Sequence, residues 1–168
     1  MKLENKVAIV TGGGKGIGAE ICLRLVKEGA KIVIAEMDVK SGENIQKKII
    51  ENKGEAIVIN TNVADEVSVN NMADEAVKKF GKIDILINNA GIRHINNILD
   101  HTKKQWDEMI SVNLTGPYPV SYTHLRAHET GRNLVCRLLL EKKKNVKMTF
   151  FSCCVDCPIV PIKLFHFS

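Results

Sequence analysis

A run of glycines near the N-terminus is the first feature of this chain that could do chemistry. Residues 11–18 have the sequence TGGGKGIG, between an apolar run at 7–10 and a segment with helical apolar spacing at 17–28. Glycines between a buried strand and a helix N-terminus let a phosphate approach the backbone amides, and the helix dipole favours the anion. The loop therefore indicates a site for the phosphates of a nucleotide. A flexible turn is the alternative interpretation.

An acidic residue ends the second predicted strand. Glu36 closes the apolar run 31–36 and lies 18 residues past Gly18, close to the spacing of about 20 expected for the acid that binds a dinucleotide ribose. A carboxylate there accepts two hydroxyl hydrogen bonds and repels a 2′-phosphate, whereas Lys15 beside the loop could pair with that phosphate. The pattern favours NAD over NADP, and a solvated charge at a strand end is the alternative.

A turn of small and amide residues, Asn88-Asn89-Ala90-Gly91, follows the fourth predicted strand at 83–87. Its small residues would let the backbone pass close to a cofactor, and its Asn side chains could tie neighbouring strands together. An ordinary Asn-rich turn is the alternative.

The elements that must position these residues alternate regularly. Apolar runs at 7–10, 31–36, 55–60 and 83–87 predict strands. Helical spacing predicts helices at 17–28, from Ser41, from Asp65 or Glu66 to Phe80, and from Thr102 to about Leu114. Strands alternating with helices of this length predict an α/β fold, a doubly wound parallel sheet with helices on both faces.

Three motifs in this order resemble those of the short-chain dehydrogenases/reductases. Residues 11–18 are similar to the family's TGxxxGIG loop, residues 88–91 to its NNAG motif, and residues 106–116 (WDEMISVNLTG) to its fourth-helix segment. The resemblance covers residues 1 to about 118 and implies a Rossmann-type domain. It implies that the following residues bind the cofactor: Gly12, Gly14, Lys15, Gly16, Ile17, Gly18, Glu36, Asn62, Val63, Asn89, Ala90 and Gly91. Asn62 stands where the family has an adenine-contacting Asp, and Asn113 matches the family's catalytic-site Asn.

The resemblance also implies an activity, which is hydride transfer between NAD(P) and a hydroxyl or carbonyl substrate. The substrate would resemble those of 3-oxoacyl-carrier-protein reductases or of sugar and diol dehydrogenases, and the intact protein would be a homo-tetramer. The family's catalytic Ser and Tyr-x-x-x-Lys have no match here, since the segment from Tyr122 ends in Arg126 and follows Asn113 too soon. Arg does not replace Lys in that role. We therefore expect the chain as written to be inactive. A non-catalytic dinucleotide-binding module is the alternative.

Residues 120–144 resemble a translated sequencing adapter, with VSYTHLRAHET and LVCRLLLE as its two ends in the right order and frame. A natural basic amphipathic helix is the alternative. We accordingly divide the chain into a Rossmann half-domain (1–118), an adapter-derived segment (119–144) and an unassigned tail (145–168). The sheet is then expected to stop after its fourth strand and the following helix, which would leave 83–87 as an apolar edge.

The distribution of charge and cysteine limits the possible partners. Residues 1–118 carry 16 Lys+Arg and 16 Asp+Glu, so the net charge of +5 lies entirely in residues 119–168, which does not support a nucleic-acid-binding field. Cys22 is the only early cysteine, and the chain shows neither a signal peptide nor a membrane-length apolar run. We expect a cytoplasmic protein. No metal site is predicted, because His94 and His101 lack ligand partners at useful spacing and should be solvated.

Overall fold

The computed structural model of the chain describes residues 1–127 and 149–150. Within these residues, five parallel strands form one sheet in the order β3-β2-β1-β4-β5. They are β1 (Val7–Thr11), β2 (Lys31–Glu36), β3 (Ala56–Asn60), β4 (Ile85–Asn88) and β5 (Thr149–Phe150). The predicted α/β fold with a parallel sheet is confirmed.

Helices cover both faces of this sheet. They are α1 (Gly16–Lys27), α2 (Val39–Glu51), α3 (Glu66–Phe80), α4 (Lys103–Ile110) and α5 (Pro117–Ala127), with a 3₁₀ turn at Ile98–Asp100 and a π turn at Ser111–Thr115. Successive residues of a strand point to opposite faces, so β1 contributes to two cores. Val7 and Ile9 pack with the α3 and α5 side, while Ala8 and Val10 pack with the α1 and α2 side. This arrangement explains why β1 is apolar without alternation.

Two helices differ from their predicted bounds. α2 begins at Val39 rather than Ser41, since the Asp38 carboxylate accepts a hydrogen bond from the Ser41 amide and serves as the N-cap. The helix predicted from Thr102 to Leu114 is α-helical only to Ile110 and then widens into the π turn. Thr102 caps its start with a capping box.

The fourth strand differs from its prediction in two respects. The strand begins at Ile85 rather than Ile83, and Asp84 before it bonds Val7 at the start of β1 through its amide and its carboxylate. The strand is also not the end of the sheet, since β5 pairs with Ile87 and Asn88.

α5 spans the division that we predicted at residue 118. α5 packs against α3, and Val120 is 1% exposed within the core on that side of the sheet. Its neighbour Ser121 is buried and accepts a hydrogen bond from Asn88 Nδ2 at 3.1 Å, which links α5 to the end of β4. Prolines at 117 and 119 are compatible with this helix because its first turn has no intrahelical N–H bonds to lose. Among residues 1–127 and 149–150, no helix has the length and apolarity that a membrane crossing requires.

Asp84 makes the stability of the fold depend on pH. Burial raises the pKa of its carboxyl, but hydrogen bonds from Lys6, the Val7 amide and Lys82 outweigh burial and hold the pKa below its usual value. The resulting stability is present above the unfolded pKa of about 4 and is lost as the pH falls through the folded pKa. We expect Asp84→Asn to lower the free energy of unfolding by about 1 kcal/mol at pH 7.

Chemical denaturation between pH 7 and pH 3 measures this effect, and the deficit of Asp84→Asn should shrink as the pH falls. Asp107→Asn provides the matched control, because Asp107 pairs with Lys103 on the exposed face of α4 and should contribute little at any pH. A deficit that stays constant across this range would show that the Asp84 charge is not responsible.

Candidate functional site

The two predicted motifs meet at the carboxyl ends of β1 and β4. The chain runs from β1 to β2 and β3 on one side, while β4 lies on the other side of β1. The loops after β1 and β4 therefore diverge at the point where the strand order reverses. Ligands of open parallel sheets bind in the crevice at this point.

Thr11 holds the two loops together from beneath this crevice. Its hydroxyl accepts hydrogen bonds from the Asn89 and Ala90 amides, both at 3.0 Å, and donates one to the Ile87 carbonyl at 3.3 Å. The side chain of Asn89 completes the link by donating to the carbonyls of Thr11 and Gly12. Every hydrogen-bonding position of the Thr11 hydroxyl is thus used.

Close backbone packing explains two of the glycines. Gly12 has φ +64°, and a Cβ there would lie 3.0 Å from the Ala90 Cα. A Cβ on Gly18 would overlap the Gly12 carbonyl oxygen and the Asn89 amide nitrogen. The first turn of α1 consequently lies directly against both loops.

The N-terminus of α1, unlike those of α2, α3 and α4, is not capped by a side chain. Asp38, Asp65 and Thr102 cap α2, α3 and α4 with their side chains, whereas no side chain caps α1 and its first turn holds no acidic residue. Gly16 has φ +50°, and a Cβ there would have no atom of the described residues within 4 Å beyond its chain neighbours and the backbone of its own helix. Open space in front of uncapped amides and the positive end of a helix fits a phosphate.

Glu36, the residue predicted to bind the ribose, lies against the glycine loop. Its Oε2 accepts from the Gly14 amide at 2.9 Å, and its Oε1 accepts from the Met37 and Asp38 amides at 3.0 and 3.3 Å. A Cβ on Gly14 would come within 2.9 Å of the Glu36 side chain and 3.0 Å of the Gly42 amide nitrogen, so a larger residue would displace Glu36 from the loop. The Lys15 ammonium turns instead to Asp38, at 2.7 Å from Oδ2.

The two residues predicted beside the adenine lie after β3. Asn62 is exposed, and its side-chain oxygen accepts a hydrogen bond from the Ala64 amide at 3.0 Å. Val63 is buried in the core shared with α3, so only its backbone could face a ligand. Both remain predicted ligand contacts.

Asn113 lies in the π turn and holds the loop that follows β4. Its side chain donates to the Ile92 carbonyl and accepts from the Ile92 amide, both at 2.8 Å. A Cβ on Gly91 would be 3.4 Å from the Asn113 Oδ1. The turn 88–91 is therefore held at one end by Thr11 and at the other by Asn113.

The family model for short chain dehydrogenases matches residues 6–134. The chain belongs to the short chain dehydrogenase family. The match includes both motif loops and the Asn113 segment, and it runs beyond residue 118 into the segment that resembles an adapter.

Individual relatives agree with this assignment. An uncharacterized oxidoreductase of Thermotoga maritima is 43% identical over 116 residues, covering 69% of this chain and 45% of the relative. Versicolorin reductase of Emericella nidulans is 38% identical over 135 residues, which cover 78% of this chain and 50% of the reductase. A short chain dehydrogenase of Burkholderia cenocepacia, solved in complex with NADP, superposes with a TM-score of 0.72 at 34% identity. The superposition covers 76% of this chain and 52% of that structure. The chain thus spans about half the length of the relatives it matches.

Tyr122, which imitates the spacing of the catalytic Tyr in the short chain dehydrogenases, lies on α5. Its ring stacks on that of Tyr118 with centroids 6.2 Å apart, and its side chain is 48% exposed. The tail pair Cys154-x-x-Cys157 lies outside the described residues.

Two histidines differ from the solvated state that we expected. His94 Nε2 lies 3.1 Å from a Glu108 carboxylate oxygen, and its ring makes an edge contact with the partly buried His101. His94 and Glu108 are 14 positions apart, so a search for local spacing does not find this pair. Within residues 1–127 and 149–150, no cluster of three or more metal-ligating side chains occurs.

Sequence reasoning also missed Asp38 as part of the site. Asp38 is separated from Lys15 by 23 residues and lies outside the motifs, so only its N-cap position before Ser41 could have drawn attention to it.

Proposed function

We propose that this chain is the dinucleotide-binding part of an NAD-dependent oxidoreductase that moves hydride between nicotinamide and a hydroxyl or carbonyl carbon. One observation carries the proposal. The glycine loop, the uncapped start of α1 and the turn 88–91 converge at the reversal point of the sheet, with the Glu36 carboxylate 2.9 Å from the Gly14 amide. This arrangement supplies amide donors for a pyrophosphate and a carboxylate for a ribose.

NAD rather than NADP is proposed from the charges at the ribose end of the site. Glu36 accepts three backbone N–H bonds and stays anchored beside Gly14, where a 2′-phosphate would meet its charge. Lys15, the cation that could neutralise such a phosphate, pairs with Asp38. NADP is the alternative cofactor, because the Burkholderia relative was solved in complex with NADP.

The chemistry of hydride transfer comes from the nicotinamide when the cofactor is bound. The residues of this chain would bind and orient it: the loop 12–18 at the pyrophosphate, Glu36 at the ribose, the backbone of 62–63 near adenine, and the turn 89–91 along the remainder. Asn113 holds that turn through Ile92 and remains a predicted catalytic-site residue. The sequence contains no Tyr-x-x-x-Lys, so we propose that the chain as written transfers no hydride.

Several finer assignments extend this proposal. The substrate would be of the 3-oxoacyl-carrier-protein, sugar or small-diol type, the intact protein would be a homo-tetramer, and its compartment would be the cytoplasm. The division at residues 118 and 144 and the adapter origin of 120–144 also remain predictions. A module that binds dinucleotide without catalysis is the second candidate, favoured by the missing Tyr-x-x-x-Lys.

The proposal predicts that the full chain binds NAD⁺ more tightly than NADP⁺ and yet does not oxidise alcohols. Isothermal titration with both dinucleotides tests the first part, and absorbance at 340 nm with a panel of alcohols and diols tests the second. NAD⁺ binding in the millimolar range is expected, because contacts to the nicotinamide half are incomplete.

Each outcome separates the alternatives. Absence of binding to either dinucleotide would refute the proposed site, and tighter binding of NADP⁺ would refute the assigned preference alone. Turnover by the chain as written would contradict its predicted inactivity. Independent sequencing of the locus distinguishes the two candidates, because an intact gene with a downstream Tyr-x-x-x-Lys supports the oxidoreductase and an unchanged reading frame supports the module.

A further inference from the structure

Three charged side chains, Glu36, Lys15 and Asp38, form the rim of the proposed ribose site, and binding a ribose requires only the first of them. Glu36, Lys15 and Asp38 lie side by side between the starts of α1 and α2, and Lys15 Nζ is 2.7 Å from Asp38 Oδ2. Two carboxylates and one ammonium leave a net charge of −1 at this rim. The ammonium is committed to one of the carboxylates.

Asp38 is held in place independently of Lys15. Its carboxylate accepts hydrogen bonds from the Ser41 hydroxyl at 2.6 Å and the Ser41 amide at 3.4 Å, as the N-cap of α2. Its own amide donates to Glu36 at 3.3 Å. The carboxylate therefore has a fixed position, and the flexible Lys15 side chain comes to it.

Both members of the pair stay charged at neutral pH. The hydrogen bond from Lys15, followed by that from Ser41, lowers the pKa of Asp38 to about 2. The same hydrogen bond raises the pKa of Lys15 above its usual value. A 2′-phosphate would have to draw Lys15 away from an ionised carboxylate and would then lie beside that unpaired carboxylate.

We propose that Asp38 sets the dinucleotide preference of this chain by holding Lys15 away from the 2′ position, as a positioning residue that acts through Lys15. This inference rests on the proposed function, since it concerns the ribose end of that site. It goes beyond the effect of Glu36, because it makes a residue outside the glycine loop decide whether the Lys15 charge can serve a phosphate.

The test compares two ligands that differ only by the phosphate in question, 5′-AMP and adenosine 2′,5′-bisphosphate, by isothermal titration of the full chain. Asp38→Asn removes the charge but keeps a side-chain oxygen that can cap α2. We expect it to raise affinity for the bisphosphate about fivefold relative to 5′-AMP. The gain should vanish when Lys15→Met is added, because it depends on the released ammonium.

Two further variants control for charge and for structure. Asp107→Asn also removes one negative charge from an exposed Lys pair, on α4, and should leave the affinity ratio unchanged. Asp38→Glu keeps the charge and should retain the wild-type ratio. A purely structural role for Asp38 would instead change the affinities for both ligands by the same factor.

The outcomes distinguish this inference from the function on which it rests. If the wild-type chain binds NAD⁺ but Asp38→Asn leaves the ratio unchanged, or if the gain persists without Lys15, the role of Asp38 is refuted and the proposed function stands. If the wild-type chain binds neither 5′-AMP nor NAD⁺, both are refuted.

Discussion

Replacing Gly18 with alanine is expected to weaken NAD⁺ binding by about 10- to 100-fold. The added methyl group would overlap the Gly12 carbonyl and the Asn89 side chain, so α1 would have to move away from both loops. The amides that we assign to the pyrophosphate would move with it. Isothermal titration measures the affinity, and thermal unfolding should show a stability loss of about 1–3 kcal/mol.

A matched pair of variants separates binding from folding in this prediction. Gly16 and Gly81 have φ values of +50° and +80°, and a Cβ at either position would have no atom of the described residues within 4 Å beyond its chain neighbours and the backbone of its own helix. Alanine at either position should therefore lower the free energy of unfolding by a similar amount, about 1–2 kcal/mol, because a Cβ disfavours the left-handed backbone. Only Gly16 lies at the proposed phosphate site, so only Gly16→Ala should also weaken NAD⁺ binding. Equal affinities for the two variants would place the phosphates elsewhere.

Replacing Thr11 with valine is expected to lower the free energy of unfolding by about 2 kcal/mol. Valine keeps the shape of the side chain, which is 1% exposed, but leaves the Asn89 and Ala90 amides without their acceptor. The turn after β4 should then loosen, and NAD⁺ affinity should fall with it. Urea denaturation and isothermal titration measure the two effects.

Two threonine variants make this prediction specific. Thr11→Ser keeps the hydroxyl and should cost only about 1 kcal/mol for the lost methyl group, with binding retained. Thr61→Val removes another buried hydroxyl, which donates to the Ile59 carbonyl. This variant leaves one carbonyl without its donor, whereas Thr11→Val leaves two amides without their acceptor. If Thr11→Val lowers the free energy of unfolding no more than Thr61→Val does, the Thr11 hydroxyl does not hold the turn after β4.

Local signals in the sequence were sufficient for the architecture. Apolar runs without alternation predicted β1 to β4 in order. The start predicted for α3, at Asp65 or Glu66, and its end before Gly81 agree with the helix Glu66–Phe80. Such features succeed because caps, left-handed glycines and apolar periodicity act over a few residues. The end of β2 at Glu36 was predicted for the same reason, from the apolar run 31–36.

Longer-range features escaped the sequence. The pairing of β4 with β5 and the packing of Val120 of α5 into the core both depend on contacts between distant segments. The histidine beside Glu108 was missed for the same reason.

The sequence by itself determined the order of elements, the glycine loop and the acid that ends β2. Only the tertiary structure decided that Thr11 would bond a turn 78 residues away and that Lys15 would bind Asp38 rather than remain available at the ribose. Residue types state which charges and donors a chain possesses. Their partners depend on which groups the folded backbone brings within about 3 Å of one another, and spacing along the chain does not specify that.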